Sequence, residues 1–246
     1  MPSQPVRRSD VFQRLPTLVE IYDDFTQPVV SADLWTPLTA DSSSASTLVL
    51  TLVSSGSARG IMSITQDATD NDEIYFGTSV LPFLFADQKP LVFEIRMQYA
   101  ELNTNTNNVM VGFISTKAAN TIIDDGGGPV ASATMAVIYK LDGATVWRAR
   151  SQIGAAVGQT DSVSGTTAGG SSYQTLRVEC NPYSTTNVEI VYYVDGAQLR
   201  TSAGVPIKHD LVYTNAVTMQ PFFGCKTGSA TAEVLLVDYV YAAQTR

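Results

Sequence analysis

The stretch that most constrains the fold is residues 173–201, where apolar and polar side chains alternate along two runs, 176–180 and 188–194. Alternation with a period of two places the two sets of side chains on opposite faces of a β-strand. Asp195 and Gly196 follow the second run, and this pair supplies the positive φ angles that a two-residue hairpin turn requires. The stretch therefore predicts a strand, a loop, a strand, a tight turn and a further strand, which favours an all-β chain.

The same alternation recurs along the rest of the chain, most clearly in residues 91–99. The side chains of this run that are expected to face the core are Leu91, Phe93, Ile95, Met97 and Tyr99. A second hairpin is predicted around Asp142 and Gly143, and the last two strands are predicted at 217–223 and 232–241. No segment shows helical spacing over the length of a helix, so about twelve strands with short turns predict a two-sheet antiparallel jelly-roll sandwich.

Three segments lack this alternation and are predicted to be loops. Residues 154–172 are rich in Gly, Ser and Thr, which is typical of a long exposed loop. Residues 124–129 contain only aspartate, glycine and proline and are also predicted to be a loop. The third segment surrounds Pro206 and His209, and its histidine is expected to be solvated.

Composition supports a folded domain with a polar surface. Hydrophobic residues make up 44% of the 246 residues and charged residues only 15%, which excludes a disordered chain. A net charge of −8 disfavours nucleic acid as a partner, and no apolar run approaches the roughly 18 residues of a membrane-spanning helix. We therefore expect one β-sandwich domain over residues 21–246, with neither nucleic acid nor membrane as a partner.

Residues 1–20 differ from the rest of the chain and are predicted to form an extended N-terminal arm. They contain three prolines and carry a slight positive charge, opposite to that of the domain. One interpretation is a tether that orders against a partner through Arg7, Arg8, Phe12 and Arg14, and the other is a tail without contacts. Because no apolar segment follows the arginines, we expect no secretion signal and a protein that acts where it is made or leaves inside an assembly.

The cysteines and the histidine do not form a metal site of the common kind. Cys180 and Cys225 lie on the apolar side of predicted strands, so buried free thiols are expected, and a disulfide between them stays open. With a single histidine, the chain has too few ligands of the usual type for a structural zinc site. No cofactor is therefore expected, with calcium as the alternative.

Two acidic groups are weak candidates for such a calcium site. They are Asp67, Asp70 and Asp72 in one loop, and Asp124 and Asp125 in another. Calcium takes about six to eight oxygen ligands, and clusters of this kind could supply several of them. Neither group matches a calcium-loop spacing, so the sequence favours solvated acidic loops without a metal.

Several separate motifs resemble the concanavalin A-like lectin/glucanase jelly-roll superfamily, and together they extend over residues 23–243. They are Phe25 with Leu34 and Trp35, residues 176–179 with 188–196, residues 221–224, and residues 237–240. The motifs are structural, so the resemblance implies the jelly-roll fold more strongly than any activity. Within this superfamily the chain also looks similar to non-enzymatic phage virion proteins.

The resemblance also provides a test for catalysis, because glucanases of this superfamily carry Glu-x-Asp-x-Glu on one strand, with the carboxylates on one concave face. No predicted strand has acidic residues at i, i+2 and i+4; Glu94 could begin such a pattern, but Arg96 and Gln98 replace its partners. A Ser-His-Asp arrangement would need His209, and the chain contains no Gly-x-Ser-x-Gly elbow. The protein is therefore predicted not to be an enzyme, and a glycoside hydrolase that uses Glu94 is the weakest interpretation.

The leading hypothesis is a non-enzymatic virion structural protein of the capsid decoration or cement class, which the resemblance to phage proteins implies. It would bind the outside of a phage shell and bridge capsid subunits, with the major capsid protein or other virion proteins as partners. We expect a homo-oligomer, with a trimer favoured, located in the virion after assembly in the host cytoplasm. The alternative is a carbohydrate-binding, lectin-like module, either free or on a phage tail or fibre, with Tyr173, Tyr183 and Tyr213 as candidate sugar contacts.

Overall fold

The described part of the chain consists of β-strands and the turns that join them. The computed structural model describes residues 18–26, 30–40, 49–52, 60–100, 106–154, 157–213 and 217–246. The first ten strands are β1 (Leu18–Asp23), β2 (Trp35–Ala40), β3 (Val49–Leu52), β4 (Met62–Thr65), β5 (Glu73–Thr78), β6 (Phe83–Leu84), β7 (Leu91–Ala100), β8 (Asn107–Ile114), β9 (Ile122–Ile123) and β10 (Gly128–Pro129). The others are β11 (Met135–Lys140), β12 (Val146–Ile153), β13 (Val157–Thr167), β14 (Gln174–Pro182), β15 (Asn187–Val194), β16 (Ala197–Gln198), β17 (Lys208–Val212), β18 (Thr218–Thr227) and β19 (Val234–Thr245). Within these ranges no helix has the length and apolar character needed to cross a membrane.

The strands form two large sheets in which neighbouring strands run antiparallel. In the first sheet the order is β16-β15-β14-β7-β19-β4-β3, with β1 also paired to β19 and β17 to β15. In the second sheet the order is β13-β12-β11-β8-β18-β5-β2, and β6 also pairs with β18. The two strands β9 and β10 form a separate small hairpin. The predicted two-sheet antiparallel sandwich is confirmed.

The main hydrophobic core lies between the two sheets. The first sheet contributes the side chains at alternate positions of 91–99 that the sequence predicted, each at most 2% exposed. The second sheet contributes Trp35, Phe76 and Phe223, and the ring of Phe223 lies 5.1 Å from each of the other two. Burial of an aromatic side chain of this size contributes about 1.5–3 kcal/mol, so this cluster is a principal source of stability.

A second apolar cluster covers the outer face of the second sheet. Tyr75, Met110, Val137 and Phe222 project there from four neighbouring strands, and the segment 115–134 between β8 and β11 adds further apolar side chains. The second sheet is therefore buried on both faces. On the first sheet, by contrast, alternate residues of β7 and β14 remain partly exposed on the outer face.

The hairpin that dominates the sequence prediction is present with the expected geometry. Strands β14 and β15 pair antiparallel, with Cys180 opposite Ile190. The turn residues Asp195 and Gly196 have φ angles of 52° and 75°, as a two-residue turn of this type requires. Cys180 and Cys225 are both buried free thiols, which confirms the expectation for the cysteines.

The segment 154–172, predicted to be an exposed loop, contains strand β13, which pairs with β12 through two register shifts. Its inward positions carry hydroxyl groups instead of apolar side chains. Ser162 Oγ lies 3.0 Å from His209 Nε2, and Ser164 Oγ donates to the carbonyl oxygen of Trp147 at 2.6 Å. The prediction was wrong because side chains that hydrogen-bond to buried polar groups replace the apolar alternation on which it relied.

His209, predicted to be solvated in a loop, is buried in strand β17 with 2% of its surface exposed. Ile207 and Leu211, two residues away on either side, are buried as well, and the residues between them are exposed. Pro206 forms only an isolated bridge with Arg200 before the strand begins, which an edge position tolerates. The expectation was wrong because a proline beside an edge strand does not prevent the strand.

The N-terminal arm and the loop 124–129 each differ at their boundaries from the prediction. Strand β1 begins at Leu18, so residues 18–20 of the predicted arm pair with β19 in the first sheet. The candidate contact residues of the arm, Arg7, Arg8, Phe12 and Arg14, lie outside the described residues. In the predicted loop, Gly128 and Pro129 form the short strand β10 opposite β9.

Candidate functional site

The outer face of the first sheet presents tyrosines to solvent. We call this group the tyrosine face, and it consists of Tyr22, Tyr173, Tyr193, Tyr239 and Tyr241. Tyr22 is 59% exposed, and its ring lies 6.2 Å from that of Tyr239 on the neighbouring strand. The arrangement follows from period-two alternation, because the residues that flank these tyrosines within β1, β15 and β19 point into the core.

Charged side chains between the tyrosines are paired with one another. The guanidinium group of Arg177 donates to Glu94 Oε2 at 3.1 Å and to Glu179 Oε1 at 2.7 Å. The hydroxyl group of Tyr239 donates to the other oxygen of Glu94 at 2.7 Å. Burial and the Glu94 carboxylate raise the pKa of Tyr239 to about 12, so this hydroxyl keeps its proton at neutral pH. Glu94, the carboxylate that the hydrolase interpretation would use, has both oxygens engaged.

Arg96 fixes a second part of the tyrosine face. It forms an ion pair with Asp238, and its guanidinium carbon lies 4.4 Å from the centre of the Tyr173 ring. Burial and the charge of Asp238 raise the pKa of Tyr173, and the charge of Arg96 opposes this shift. Exposed ion pairs contribute at most about 1 kcal/mol each, so these contacts set the orientation of side chains more than they stabilise the fold.

A shallow groove of about 310 Å³ borders the tyrosine face at Tyr241, where residues of β1, β7, β14 and β19 come together. Its lining combines apolar and polar groups, including Leu18, Leu91, Arg177, Glu179, Tyr241 and Gln244. Aromatic, guanidinium and carboxylate groups that converge in this way can bind a polar side chain or a sugar ring. The groove therefore gives the tyrosine face a place where a partner can insert.

A larger recess of about 600 Å³ lies beside residues 22–26 and 30–34 and is lined partly by aspartates. Asp23 accepts the backbone N–H of Phe25 and the indole N–H of Trp35, each at 2.8 Å. Asp24 accepts the hydroxyl group of Thr26 at 2.9 Å. These contacts hold the turn after β1 in shape, which is a structural role for the carboxylates.

The outer face of the second sheet carries a polar network in place of exposed tyrosines. We call it the Lys226 network, and its members are Glu73, Tyr75, Asn120, Ile122, Asp124 and Lys226. The side chains of Lys226 and Glu73 are only 1% and 2% exposed, and they lie opposite each other on β18 and β5. Asn120, Ile122 and Asp124 belong to the segment 115–134 that crosses the face.

Lys226 Nζ is the centre of this network. It donates to Asn120 Oδ1 at 2.6 Å and to the carbonyl oxygen of Ile122 at 3.2 Å. It also lies 3.4 Å from Glu73 Oε2 and forms an ion pair with Asp124. A buried ammonium group needs such partners, since an unpaired charge in this position would cost several kcal/mol.

Glu73 binds the crossing segment from the opposite side. Its two oxygens accept the backbone N–H of Asn120 at 2.8 and 3.0 Å. The hydroxyl group of Tyr75 donates to Glu73 Oε2 at 2.7 Å and accepts the backbone N–H of Ile122 at 3.2 Å. Burial and the Glu73 carboxylate raise the pKa of Tyr75 well above its usual value, so Tyr75 remains a donor.

Strand β12 fixes the other end of the crossing segment. Arg150 donates to the carbonyl oxygen of Pro129 at 2.6 Å. Gln152 donates to the carbonyl oxygens of Val130 and Ala133 at 3.0 and 2.6 Å. Because both ends of the segment are bound in this way, it closes the outer face of the second sheet to large ligands.

The calcium candidates do not form a metal site in the part of the chain that the structure describes. Asp67 accepts the backbone N–H of Thr69 at 2.8 Å, and Asp124 is paired with Lys226. Across the described ranges no group of three or more His, Cys, Asp or Glu side chains is placed to hold a metal ion, which leaves Asp70, Asp72 and Asp125 without such a site.

The three loop tyrosines proposed as sugar contacts have different environments. Tyr183 is 58% exposed, as a contact residue should be. Tyr213 is buried, and its hydroxyl group donates to the carbonyl oxygen of Ser184 at 2.8 Å. Tyr173 lies under Arg96 as a member of the tyrosine face. Tyr213 is therefore removed from the candidate contacts.

Sequence reasoning missed both the tyrosine face and the Lys226 network. Tyr239 and Tyr241 stand at alternate positions of β19, so their shared face could have been predicted from the sequence. The pairing of Glu73 with Lys226 joins residues far apart in sequence, and no local pattern indicates it. A buried lysine gives no periodic signal because it occupies the position of an ordinary outward-facing residue.

No family model and no curated protein matches the chain. Solved structures do share its architecture. A protein of unknown function from Shewanella oneidensis is 14% identical, with 100% of this chain and 97% of that one covered and a TM-score of 0.55. The endo-1,3-beta-glucanase from Streptomyces sioyaensis is 15% identical, with 98% and 99% covered and a TM-score of 0.57.

Peanut lectin is a third similar structure, 9% identical, with 93% of this chain and 97% of that one covered and a TM-score of 0.58. Identities this low show the fold alone. The concanavalin A-like lectin/glucanase jelly roll predicted from the sequence is therefore confirmed. The fold is found in both lectins and glucanases, so it does not decide between binding and catalysis.

Proposed function

We propose that the protein is a non-enzymatic binding protein whose contact surface is the tyrosine face, and that it acts as a decoration or cement protein on a phage capsid. The observation that carries the proposal is the difference between the two outer faces. The segment 115–134 and the Lys226 network cover one of them. The other presents tyrosines, paired charges and a shallow groove to solvent.

The chemistry of the tyrosine face suits contact with a protein surface. Tyrosine and arginine are enriched where interfaces bind most tightly, because each combines a flat contact area with hydrogen-bond donors. Glu94, Arg177 and Tyr239 already hold one another in place. Binding therefore requires little additional ordering of these side chains, which lowers its entropic cost.

The location on a capsid is supported by the sequence. The chain resembles non-enzymatic phage virion proteins, and a basic arm precedes an acidic domain. In the proposed arrangement the tyrosine face binds the major capsid protein, and Arg7, Arg8, Phe12 and Arg14 of the arm bind a neighbouring subunit. A homotrimer would bring several faces to the shell together and increase the overall avidity.

Particles of the phage that encodes this chain provide the first test. Mass spectrometry of purified particles should detect the protein in many copies. Particles that lack it would refute the capsid role, whatever the tyrosine face binds.

Co-sedimentation of the purified protein with capsids that lack it tests the contact surface. The double variant Tyr22→Ser, Tyr239→Ser should bind the capsids at least about tenfold more weakly than wild type, since each substitution removes an aromatic ring from the proposed interface. Tyr183→Ser is the matched control, because Tyr183 is 58% exposed and Tyr22 is 59% exposed. Equal binding by both variants would show that the tyrosine face is not the contact surface.

A carbohydrate-binding role is the second candidate, favoured by the groove beside Tyr241 and by the fold of the chain. It predicts saturable binding on a glycan array, weakened by Tyr241→Ser and unaffected by Ile123→Ser, which changes an exposed residue on the outer face of the second sheet. Repeating the array with a chelator separates calcium-dependent from calcium-independent binding. An array without any positive glycan would refute this role and would leave the capsid proposal in place.

A further inference from the structure

The Lys226 network brings an amine, a primary amide and a carboxylate together on the outer face of the second sheet. Lys226 Nζ lies 2.6 Å from the side-chain oxygen of Asn120 and 3.4 Å from Glu73 Oε2. From this geometry we propose that Lys226 and Asn120 become joined by an intramolecular isopeptide bond, with Glu73 as the proton carrier. The proposal is independent of what the tyrosine face binds.

Asn120 is held in position for attack at both its backbone and its side chain. Its backbone is in the left-handed region at φ 57°, and its N–H donates to both oxygens of Glu73. Its side-chain oxygen accepts from Lys226, so the carboxyamide carbon is one bond from an atom in direct contact with the amine. Fixing two reacting groups in this way replaces an encounter in solution with a local step, which accounts for large rate gains.

Glu73 is placed to take the proton that Lys226 must lose, because Glu73 Oε2 lies 3.4 Å from Nζ. The apolar cluster on this face includes Tyr75, Ile122 and Phe222. Moving the proton across the pair converts two buried charges into a neutral amine and a neutral acid. The neutral amine that results has the lone pair needed for attack.

Two other acceptors also contact the amine. They are the carboxylate of Asp124 and the carbonyl oxygen of Ile122, which lies 3.2 Å from Nζ. The Asp124 side chain is 47% exposed, so water screens its charge, whereas Glu73 is enclosed. A carboxylate is also a poorer electrophile than a primary amide, so the bond forms with Asn120 and not with Asp124.

The reaction exchanges one amide for another without a co-reactant. Glu73 takes a proton from Lys226, Nζ attacks Cγ of Asn120, and a new C–N bond forms. A proton passes through Glu73 to the amide nitrogen of Asn120, its bond to Cγ breaks, and ammonia leaves and takes up the remaining proton. One ammonium group and one primary amide thus become one secondary amide and one ammonium ion, so atoms and charge balance. Asn120 lies at the surface, which lets the ammonia escape.

The bond would tie the crossing segment covalently to β18. It would close a loop that spans 106 positions of the chain, between residues 120 and 226. The segment 115–134 could then no longer leave the outer face of the second sheet without unfolding β18.

The intact mass of the purified full-length chain tests the proposal directly. The wild-type protein should be lighter than its sequence by about 17 Da, the mass of one ammonia. Trypsin should release a joined pair of peptides, 118–140 and 209–246, because cleavage after the modified Lys226 is blocked. The variants Lys226→Arg, Asn120→Ala and Glu73→Gln should each have the full mass. Glu179→Gln, a carboxylate on the tyrosine face, is the matched control and should show the same loss as wild type.

Three results would overturn the proposal. A full mass for the folded wild-type protein would show that the amine and the amide remain separate. A loss of about 17 Da without the joined peptides would show that Asn120 has closed to a succinimide with its own backbone and has not reacted with Lys226. A loss of about 18 Da, with a link between Lys226 and Asp124, would show that water and not ammonia departs. Because the wild-type mass decides the question, it is settled even if a variant fails to fold.

Discussion

His209 makes the stability of this protein sensitive to mild acid. It is the single histidine of the chain and is buried between the sheets. Its Nδ1 lies 2.8 Å from Ser151 Oγ and 3.0 Å from the Tyr192 hydroxyl group, and its Nε2 lies 3.0 Å from Ser162 Oγ. Burial lowers the pKa of His209 to about 4, although the charge of Asp161 opposes this shift.

Acid lowers the stability because the pKa of His209 is lower in the folded protein than in the unfolded chain. The unfolded chain takes up the proton near the usual histidine pKa of about 6.5, whereas the folded state resists it until about 4. The contribution of His209 to stability is therefore fully present above the unfolded pKa and is lost as pH falls from there to the folded pKa. Between about pH 7 and about pH 5, the loss from this one group amounts to about 2 kcal/mol.

Urea unfolding at these two pH values measures the loss, with Trp35 and Trp147 as buried fluorescent reporters. His209→Gln removes the titration, so wild type should lose about 2 kcal/mol more than this variant between the two pH values. Carboxylates that titrate in the same range affect both proteins and cancel in the comparison. Val178→Ala is the control for general destabilisation, and its pH dependence should equal that of wild type.

The reasoning about His209 fails if wild type and His209→Gln lose the same stability on acidification. A second readout is available because a single histidine gives one set of imidazole resonances in an NMR titration of the folded protein. A midpoint close to about 6.5 in that titration would contradict the burial argument, even if the unfolding data agreed with it.

Three further predictions concern the core and the backbone. Phe223→Ala should lower the free energy of unfolding by about 3–5 kcal/mol in urea titrations, because it empties the ring cluster between the sheets; a loss below about 1 kcal/mol would contradict that packing. Gly112→Ala should lower the free energy of unfolding by at least about 1 kcal/mol and lower the thermal midpoint. The φ angle of Gly112 is +140°, and a Cβ atom there would lie 2.3 Å from the carbonyl oxygen of Ala136. An unchanged midpoint would refute this prediction. Cys180 and Cys225 should resist a thiol reagent in the native protein and react only in urea, because burial raises the pKa of both thiols; rapid native labelling of both would contradict their burial.

Strands that carry apolar side chains at alternate positions could be predicted from the sequence. The run at 91–99 and the hairpin of β14 and β15 were found because burial on one face imposes a visible period of two. Strand β13 was missed because Ser162 and Ser164 occupy its inward positions. A hydroxyl group can be buried when it meets a polar partner, and the identity of that partner depends on another strand.

The candidate site was harder to predict than the fold. Tyr239 and Tyr241 are spaced as residues on one face of a strand. They can bind a partner only because no segment of the described chain covers the outer face of the first sheet at these positions, and their spacing does not indicate this. The Lys226 network joins Glu73, Asn120 and Lys226, which only the fold brings together. Such long-range pairs have no local signature, so single-sequence reasoning cannot supply them.

The pairing of β1 with β19 has a mechanical consequence. Leu18 lies opposite Thr245, so the beginning of the first strand and the end of the last strand are neighbours in the same sheet. A pulling force applied between these two points would load the hydrogen bonds of the pair one after another, as a zipper opens, instead of all together in shear. Strand β1 would therefore peel away at low force, while the rest of the sandwich stayed folded. A molecule pulled between its N-terminal arm and the end of β19 would thus yield first at β1, which would act as an extensible link between the attachment point and the domain.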